Sequence, residues 1–362
     1  MAAGSGSLES LRELNRLRVV DALRRHGTLS RADIARATGL SRSTISTLVA
    51  DLQDHGFIIE RPDEDVPPRA SAQGRPPVLL RLDPSAGIAV GVDFDHNHVR
   101  VAVSDLSRTV VAEASVETDV DHDAHRALDM AAQLVREALE QAGVDADRVL
   151  GVGVALAGPV NQAHGRLLDS AILLDWQGVD AAAELRDRLG VPVHIDNDAN
   201  LGALAEVTLG AGRTARAAVY VQMSSGVGAG LIVDGRPYRG ASGVAGEIGH
   251  VTVDETGPIC RCGSRGCLET VASGPAIARL VSESRGESIN AEQLVELANA
   301  GDLGCRRAIA DAAAVVGRVV GNLCNLFNPE MVVVGGDLSA VGELLLGPLR
   351  DGVMRAALPA AT

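Results

Sequence analysis

The chain has 362 residues, 46% of them apolar and 22% charged, a formal net charge of −14, and 33 basic residues that are all arginine. The absence of lysine excludes amine-nucleophile chemistry, including Schiff-base and pyridoxal-phosphate mechanisms, and any phosphate loop of the G-x-x-x-x-G-K-[ST] form. Its six aromatic residues, Phe57, Phe94, Phe327, Trp176, Tyr220 and Tyr238, are too few for base-stacking platforms on single-stranded nucleic acid.

Two or three domains are expected at roughly 150 residues each. No uninterrupted apolar run reaches ~18 residues, and Met1 to Ser10 lacks the charged-then-apolar plan of a signal peptide, so a cytoplasmic chain with no membrane partner is expected. Five cysteines in that setting point to metal or free thiols rather than disulfides. Charge is uneven: Ser10 to Ala50 holds eight arginines against Glu13, Asp21 and Asp33, a local +5, whereas residues 81–362 carry −15. A basic head on an acidic body suits a small module that meets a polyanion.

From Leu8, the positions Leu11, Leu14, Leu17, Val20 and Leu23 form an apolar stripe that Val19 and Ala22 widen, predicting one amphipathic helix ending at His26-Gly27. Ser30-Arg-Ala-Asp33 has capping-box spacing and opens a short helix that stops at Thr38-Gly39. A third helix runs from Ser41 through Ile45, Leu48, Val49 and Leu52 to His55-Gly56. This order is the helix-turn-helix plan. Burying Ile45, Leu48, Val49 and Leu52 leaves Arg42, Ser43, Thr44, Ser46 and Thr47 near the helix start. Short hydroxyls let a helix approach the major groove closely, and Arg can bind guanine bidentately, so these are the candidate DNA contacts; a solvated helix face is the plain alternative. Phe57 to Glu60 and Val78 to Leu82 read as paired strands around a Pro- and Gly-rich stretch, which is either a wing that presents Arg75 to a minor groove or a linker.

In the body, Ala89–Asp93 and Val99–Asp105 are strands joined by Phe94–His98, and Ala218–Met223 and Gly230–Asp234 repeat that plan around Ser224–Ala229. Helices over 125–143, 179–190 and 201–210 alternate with strands over 149–155, 192–196 and 331–335, predicting a duplicated α/β body with a cleft. Asp196-Asn-Asp-Ala-Asn200 closes a strand, so Asn197 and Asp198 are candidate hydroxyl binders, Asp198 also a candidate general base; an Asx turn capping the next helix satisfies the same spacing. His250, Cys260, Cys262 and Cys267 form a Cys3His set suited to closed, structural zinc, with a redox cluster as the alternative. Cys305 and Cys324 fall in helical stretches and read as core thiols.

With those residues in place the chain resembles the ROK family (repressors, open reading frames and sugar kinases), in its transcriptional-regulator branch, from the helix-turn-helix to Gly335-Gly336. The resemblance implies a winged helix-turn-helix over 1–82, with wing or linker at 61–82, and a sensor over 83–362. That sensor has the actin-like (ribonuclease H-like) sugar-kinase fold, with a first lobe at about 83–196 and a second at about 197–362. It also implies zinc on His250, Cys260, Cys262 and Cys267, and a sugar or sugar phosphate held by Asn197, Asp198, Glu247, His250 and Glu269. Kinases of this family carry Asp-x-Gly-Gly-Thr after the first strand. Here Asp93-Phe94-Asp95-His96-Asn97 lacks both glycines and the Thr, and Ser224-Ser225 stands where kinases usually have Gly-Thr. An Asp and bulky side chains would repel polyphosphate, so ATP and Mg2+ are not expected and Asp198 would bind rather than deprotonate. Members usually continue past the position of Leu349 with a further helical segment.

The reading is a sugar-responsive, DNA-binding regulator, a bacterial repressor of carbohydrate genes that binds operator DNA as a homodimer or dimer of dimers. The alternatives are an active ATP-dependent sugar kinase that also binds DNA, and a regulator switched by zinc.

Overall fold

A computed structural model describes residues 8–61, 78–161, 165–168 and 173–361. Arg75 lies outside the described residues. The chain divides into two compact units, one containing residues up to Val90 with Ala102–Glu113 and Val135–Gly151, the other containing Gly91–Val101, Ala114–Leu134 and the chain from Val152 onward.

The first unit begins with α1 (Leu8–His26), β1 (Leu29–Ser30), α2 (Arg31–Thr38), α3 (Arg42–Asp54), β2 (Ile58–Arg61) and β3 (Leu79–Leu82). The capping box forms: Ser30 Oγ accepts from the Asp33 amide and Asp33 accepts from the Ser30 amide, while Gly39 ends α2 at φ 72° in the left-handed region. Val19, Leu23, Ile34, Ile45, Leu48, Val49, Leu52, Ile58 and Leu80 share one core. Each such side chain contributes roughly 1.5–3 kcal/mol by leaving water. Arg16 clamps α1 to α3 through two bonds to Asp51, Nε to Oδ2 at 2.7 Å and Nη2 to Oδ1 at 3.0 Å. Strands β1, β3 and β2 form an antiparallel sheet, with Ile58 opposite Leu82 and Leu29 opposite Leu80. The first strand of that sheet had no periodic signal, being two residues long. One expectation fails: Leu11, Leu14 and Leu17 are 54%, 47% and 58% exposed. Of α1, only Val19 and Leu23 are buried in this core, with Val20 packed beside it, so the stripe's early positions lie outside it.

The chain continues as β4 (Ile88–Asp95), β5 (His98–Asp105), β6 (Val110–Glu117), α4 (Ala124–Ala142), β7 (Val149–Leu156), β8 (Val160–Asn161), β9 (Arg166–Leu167), α5 (Ala181–Leu189), β10 (Val193–Asn197) and α6 (Asp198–Thr208). There follow β11 (Ala218–Met223), β12 (Val227–Val233), β13 (Arg236–Tyr238), α7 (Glu269–Ala272), α8 (Gly274–Arg285), α9 (Ala291–Asn299), α10 (Leu303–Phe327), β14 (Met331–Gly335) and α11 (Glu343–Ala356). Two mixed sheets result, ordered β10-β7-β4-β5-β6 and β13-β12-β11-β14. In each, a hairpin supplies antiparallel pairing and a crossover supplies a parallel neighbour, as for β11 with β12 and with β14. This is the duplicated plan expected from the repeated strand pairs.

The second hairpin is tighter than its glycines suggest, because β12 starts at Val227 and runs through Gly228 and Gly230. A Cβ at Gly230 would lie 2.2 Å from the Ala199 carbonyl oxygen, so α6 presses onto the strand where only glycine fits. Helices α8 to α11 bury Ile277, Val281, Leu294, Val316, Val320 and Leu345 against Val219, Val221 and Met223 of β11. By length and composition α10 is apolar enough to cross a bilayer. Its apolar residues instead form this core, Cys305 and Cys324 among them.

Candidate functional site

Parallel pairing of β10 with β7 brings Asn197 level with Leu156 at the carboxyl end of the sheet, where α6 begins. Asn197 forms the helix cap that its spacing allows. Its Oδ1 caps α6 by accepting from the Asn200 amide at 3.1 Å, and its Nδ2 donates to the Gly158 carbonyl at 3.1 Å and to Asp198 Oδ1 at 2.9 Å. One of these three bonds holds Asp198. The other Asp198 oxygen, Oδ2, accepts from Gln222 Nε2 at 2.6 Å. Burial pushes Asp198 up to about 7, against the relief of the Ala199 amide and with the help of Asp93 and Asp95. Gln222 was missed in the sequence because a single amide at the end of an apolar strand carries no motif.

Asp198 and Asn197 line a cleft of about 490 Å³, part of it open to solvent, together with His96, Ser225, Glu247, His250 and Glu269. Glu247 enters on a one-turn 3-10 helix whose approach depends on Gly246, at φ 99° with its Cβ position 1.9 Å from the Ala229 carbonyl oxygen. Burial raises Glu247 to about 7, aided by the charges of Asp198 and Glu269. Such carboxyls, set around a polar cleft, accept hydrogen bonds from hydroxyls.

His250 joins this cleft to the cysteines. Its Nε2 lies 3.8 Å from Glu247 Oε2, and its Nδ1 lies 3.7 Å from Cys260 Sγ. The donor atoms of His250, Cys260, Cys262 and Cys267 all fall within 4.8 Å of one another, and Cys262 Sγ is 3.7 Å from Cys267 Sγ. A tetrahedral ion with metal–sulfur bonds of ~2.3 Å needs edges of about 3.8 Å, so the donor set fits a zinc-sized cation. Burial, then the neighbouring thiols, push Cys267 up to about 12.

The segment Asp93–Asn97 folds as the end of β4 and a tight turn. Phe94 is buried edge-on against Trp176, with ring centroids 5.2 Å apart at 70°, and Trp176 donates to the Val120 carbonyl. Asp95 accepts from the Ser225 hydroxyl, and Ser224 donates to Asp337. His96 Nδ1 lies 2.6 Å from Asp121 Oδ1. Of these side chains His96 and Ser225 line the cleft, and the Asp93–Asn97 segment has no glycine to expose backbone amides.

In the first unit, α3 carries the other candidates. Ser41 caps it by accepting from the Thr44 amide, and Arg42, Ser43, Ser46 and Thr47 are exposed, with Thr44 half-buried. Ser46 and Thr47 donate back to the carbonyls of Arg42 and Ser43 at 3.0 and 3.2 Å, which keeps both hydroxyls close to the helix surface. The Arg42 side chain makes no hydrogen bond or ion pair among the described residues.

Comparison with known proteins places this geometry. The ROK family model matches residues 89–360, and the MarR family model matches residues 13–66. A xylose repressor from Caldicellulosiruptor bescii is 31% identical over 359 residues, spanning 96% of this chain and 88% of the relative. The crystal structure of a ROK family transcriptional regulator, a homolog of the E. coli Mlc protein, superposes with a TM-score of 0.80 at 26% identity, covering 97% of this chain and 90% of that one. A ROK family glucokinase from Streptomyces griseus, solved with glucose and AMPPNP, gives 0.69 at 30% identity over 75% of this chain and 90% of its own. The expected fold class holds, and the chain belongs to the ROK family, with a MarR-like winged helix-turn-helix ahead of its sugar-kinase-like body.

Proposed function

We propose that this chain is a sugar-responsive, DNA-binding transcriptional repressor of carbohydrate-metabolism genes. The observation that carries the reading is the pairing, in one chain, of exposed Arg42, Ser43, Ser46 and Thr47 on the third helix of a winged module with a carboxylate-lined cleft around Asp198. Repressors match it over nearly its whole length, whereas the glucokinase matches only the body. Residues 1–82 form the DNA-binding part, with Arg75 reaching a minor groove, and residues 83–362 form the sensor, in a homodimer or dimer of dimers working in the cytoplasm.

In the sensor, Asp198, Glu247 and Glu269 accept hydrogen bonds from sugar hydroxyls, and Asn197 holds Asp198 in place. His250, Cys260, Cys262 and Cys267 would hold zinc, which would act as a structural clamp on this loop. His250 turns its Nε2 to the cleft while its Nδ1 faces the metal. Asp95 and His96 leave no cradle for a nucleotide, so the sugar or sugar phosphate is bound and not phosphorylated. Regulation is linkage: a sugar that prefers one conformation of the sensor shifts operator affinity by its differential binding.

Fluorescence anisotropy with the chain's own upstream DNA tests this. Saturable, sequence-selective binding that D-xylose, D-glucose or their phosphates weaken is expected. A chain that binds all DNA alike, or whose binding no sugar alters, ends the proposal; a response to zinc in place of sugar would favour a metal-sensing regulator.

A further inference from the structure

We propose that Arg261 is a positioning residue of the sugar site, acting through Glu269 and His96. The inference rests on the sugar reading above and deepens it. Arg261 stands between two thiols of the Cys3His set, and with both neighbours turned toward the metal site its own side chain extends to the cleft wall. There Nη1 lies 3.2 and 3.3 Å from the two ring nitrogens of His96 and 3.5 Å from Asp121 Oδ2, while Nε lies 3.7 Å from Glu269 Oε1. Asp121 in turn holds His96 Nδ1 at 2.6 Å. With that nitrogen donating to Asp121, Nε2 is left as an acceptor facing Arg261 and the cleft.

The arrangement joins segments far apart in sequence: His96 and Asp121 from either side of β5 and β6, and Arg261 and Glu269 from the cysteine loop and the start of α7. An exposed ion pair is worth little. Here the side chains of His96, Glu269 and Asp121 are only 15%, 16% and 22% exposed, against 39% for Arg261, so removing the guanidinium takes a cation from two largely buried carboxylates. Two of the three groups that Arg261 orders, His96 and Glu269, line the cleft, whereas Arg261 itself does not. Its effect on a ligand is therefore indirect, through where those two side chains sit. The same network ties the metal loop to the turn after β4, so the loop's order reaches the cleft by a route separate from His250.

The test uses the full chain with zinc bound, titrated calorimetrically with D-xylose and D-glucose. Arg261→Ala and His96→Ala should each weaken the bound sugar about tenfold or more, and the double variant should be no more than about twofold worse than either, since residues in one network do not add. Arg261→Lys should recover part of the loss, as it restores charge without the planar fork. Zinc content should stay at one ion per chain throughout. Native affinity in Arg261→Ala, additive losses, or a loss of sugar that tracks a loss of zinc would each overturn the proposal. If Arg261→Ala does not fold, Asp121→Asn carries the same readouts. A native chain that binds neither sugar overturns the sugar reading and this proposal together, whereas a native chain that binds sugar as well as its Arg261 variants do overturns this proposal alone.

Discussion

The Ser225 hydroxyl donates a hydrogen bond to the Asp95 carboxylate. These are two of the positions at which the chain departs from the kinase pattern, and they are bonded to each other: a side chain that would repel a phosphate is matched to a hydroxyl from the opposite glycine stretch. The expected outcome is no sugar-dependent ADP release from Mg-ATP over a hexose and pentose panel. Turnover that Asp198→Asn abolishes would establish a working kinase instead.

Asp198 links stability and ligand binding to pH. Its folded value of about 7 lies above the unfolded 3.8, so the folded state holds the proton more tightly. Its stabilising contribution is therefore complete below about pH 4 and is lost as pH rises through about 7. Melting temperature should fall over that window less steeply in Asp198→Asn than in the native chain. Sugar affinity should move the other way, rising from pH 6 to pH 8 as the carboxylate becomes a better acceptor. Equal affinities at the two pH values would show that Asp198 does not face the ligand.

Metal content is checked by elemental analysis. About one zinc per chain is expected, and Cys262→Ser should lose it, lower the melting temperature and weaken sugar binding, because His250 and the loop bearing Arg261 lose their anchor. Retention of the metal in Cys262→Ser would redraw the ligand set.

On α3, Arg42→Ala should weaken operator binding by roughly 1–3 kcal/mol if the guanidinium reads a base, or reduce the salt slope by about one if it meets a phosphate. The melting temperature should not change, since Arg42 is exposed. Ile45→Ala is the contrast, costing roughly 2–5 kcal/mol of folding stability from a fully buried site. Operator affinity unaltered in Arg42→Ala would remove that residue from the interface.

Gly246→Ala tests how Glu247 is delivered. A Cβ there meets the Ala229 carbonyl oxygen at 1.9 Å and a backbone φ of 99° that side chains rarely adopt. Sugar binding should drop at least tenfold, with a stability loss of about 1–3 kcal/mol. An alanine variant that binds like the native chain would separate Glu247 from the ligand.

Much of this architecture is legible locally. The Ser30–Asp33 box, the left-handed stop at Gly39 and the apolar spacing of α3 act within a few residues, and a cap or a helical face needs nothing from the rest of the chain. The Cys3His set is equally local, since a short loop can bring its donors to one point. Where the first helix's stripe meets no partner, at Leu11, Leu14 and Leu17, periodicity overstated burial, because a repeat specifies a face and not what covers it.

By itself, then, the sequence determined the element types, the Cys3His spacing and the glycine-free Asp93–Asn97 segment, all of them properties of short segments. Only the tertiary structure decided that Asn197 supports Asp198 from a helix cap, that Gln222 reaches Asp198, and that Asp121, His96, Arg261 and Glu269 form one network. Gln222 lies 24 residues from Asp198, and Arg261 lies 165 from His96. Sheet order and the packing of loops at strand ends bring them together, and no spacing rule along the chain encodes that meeting.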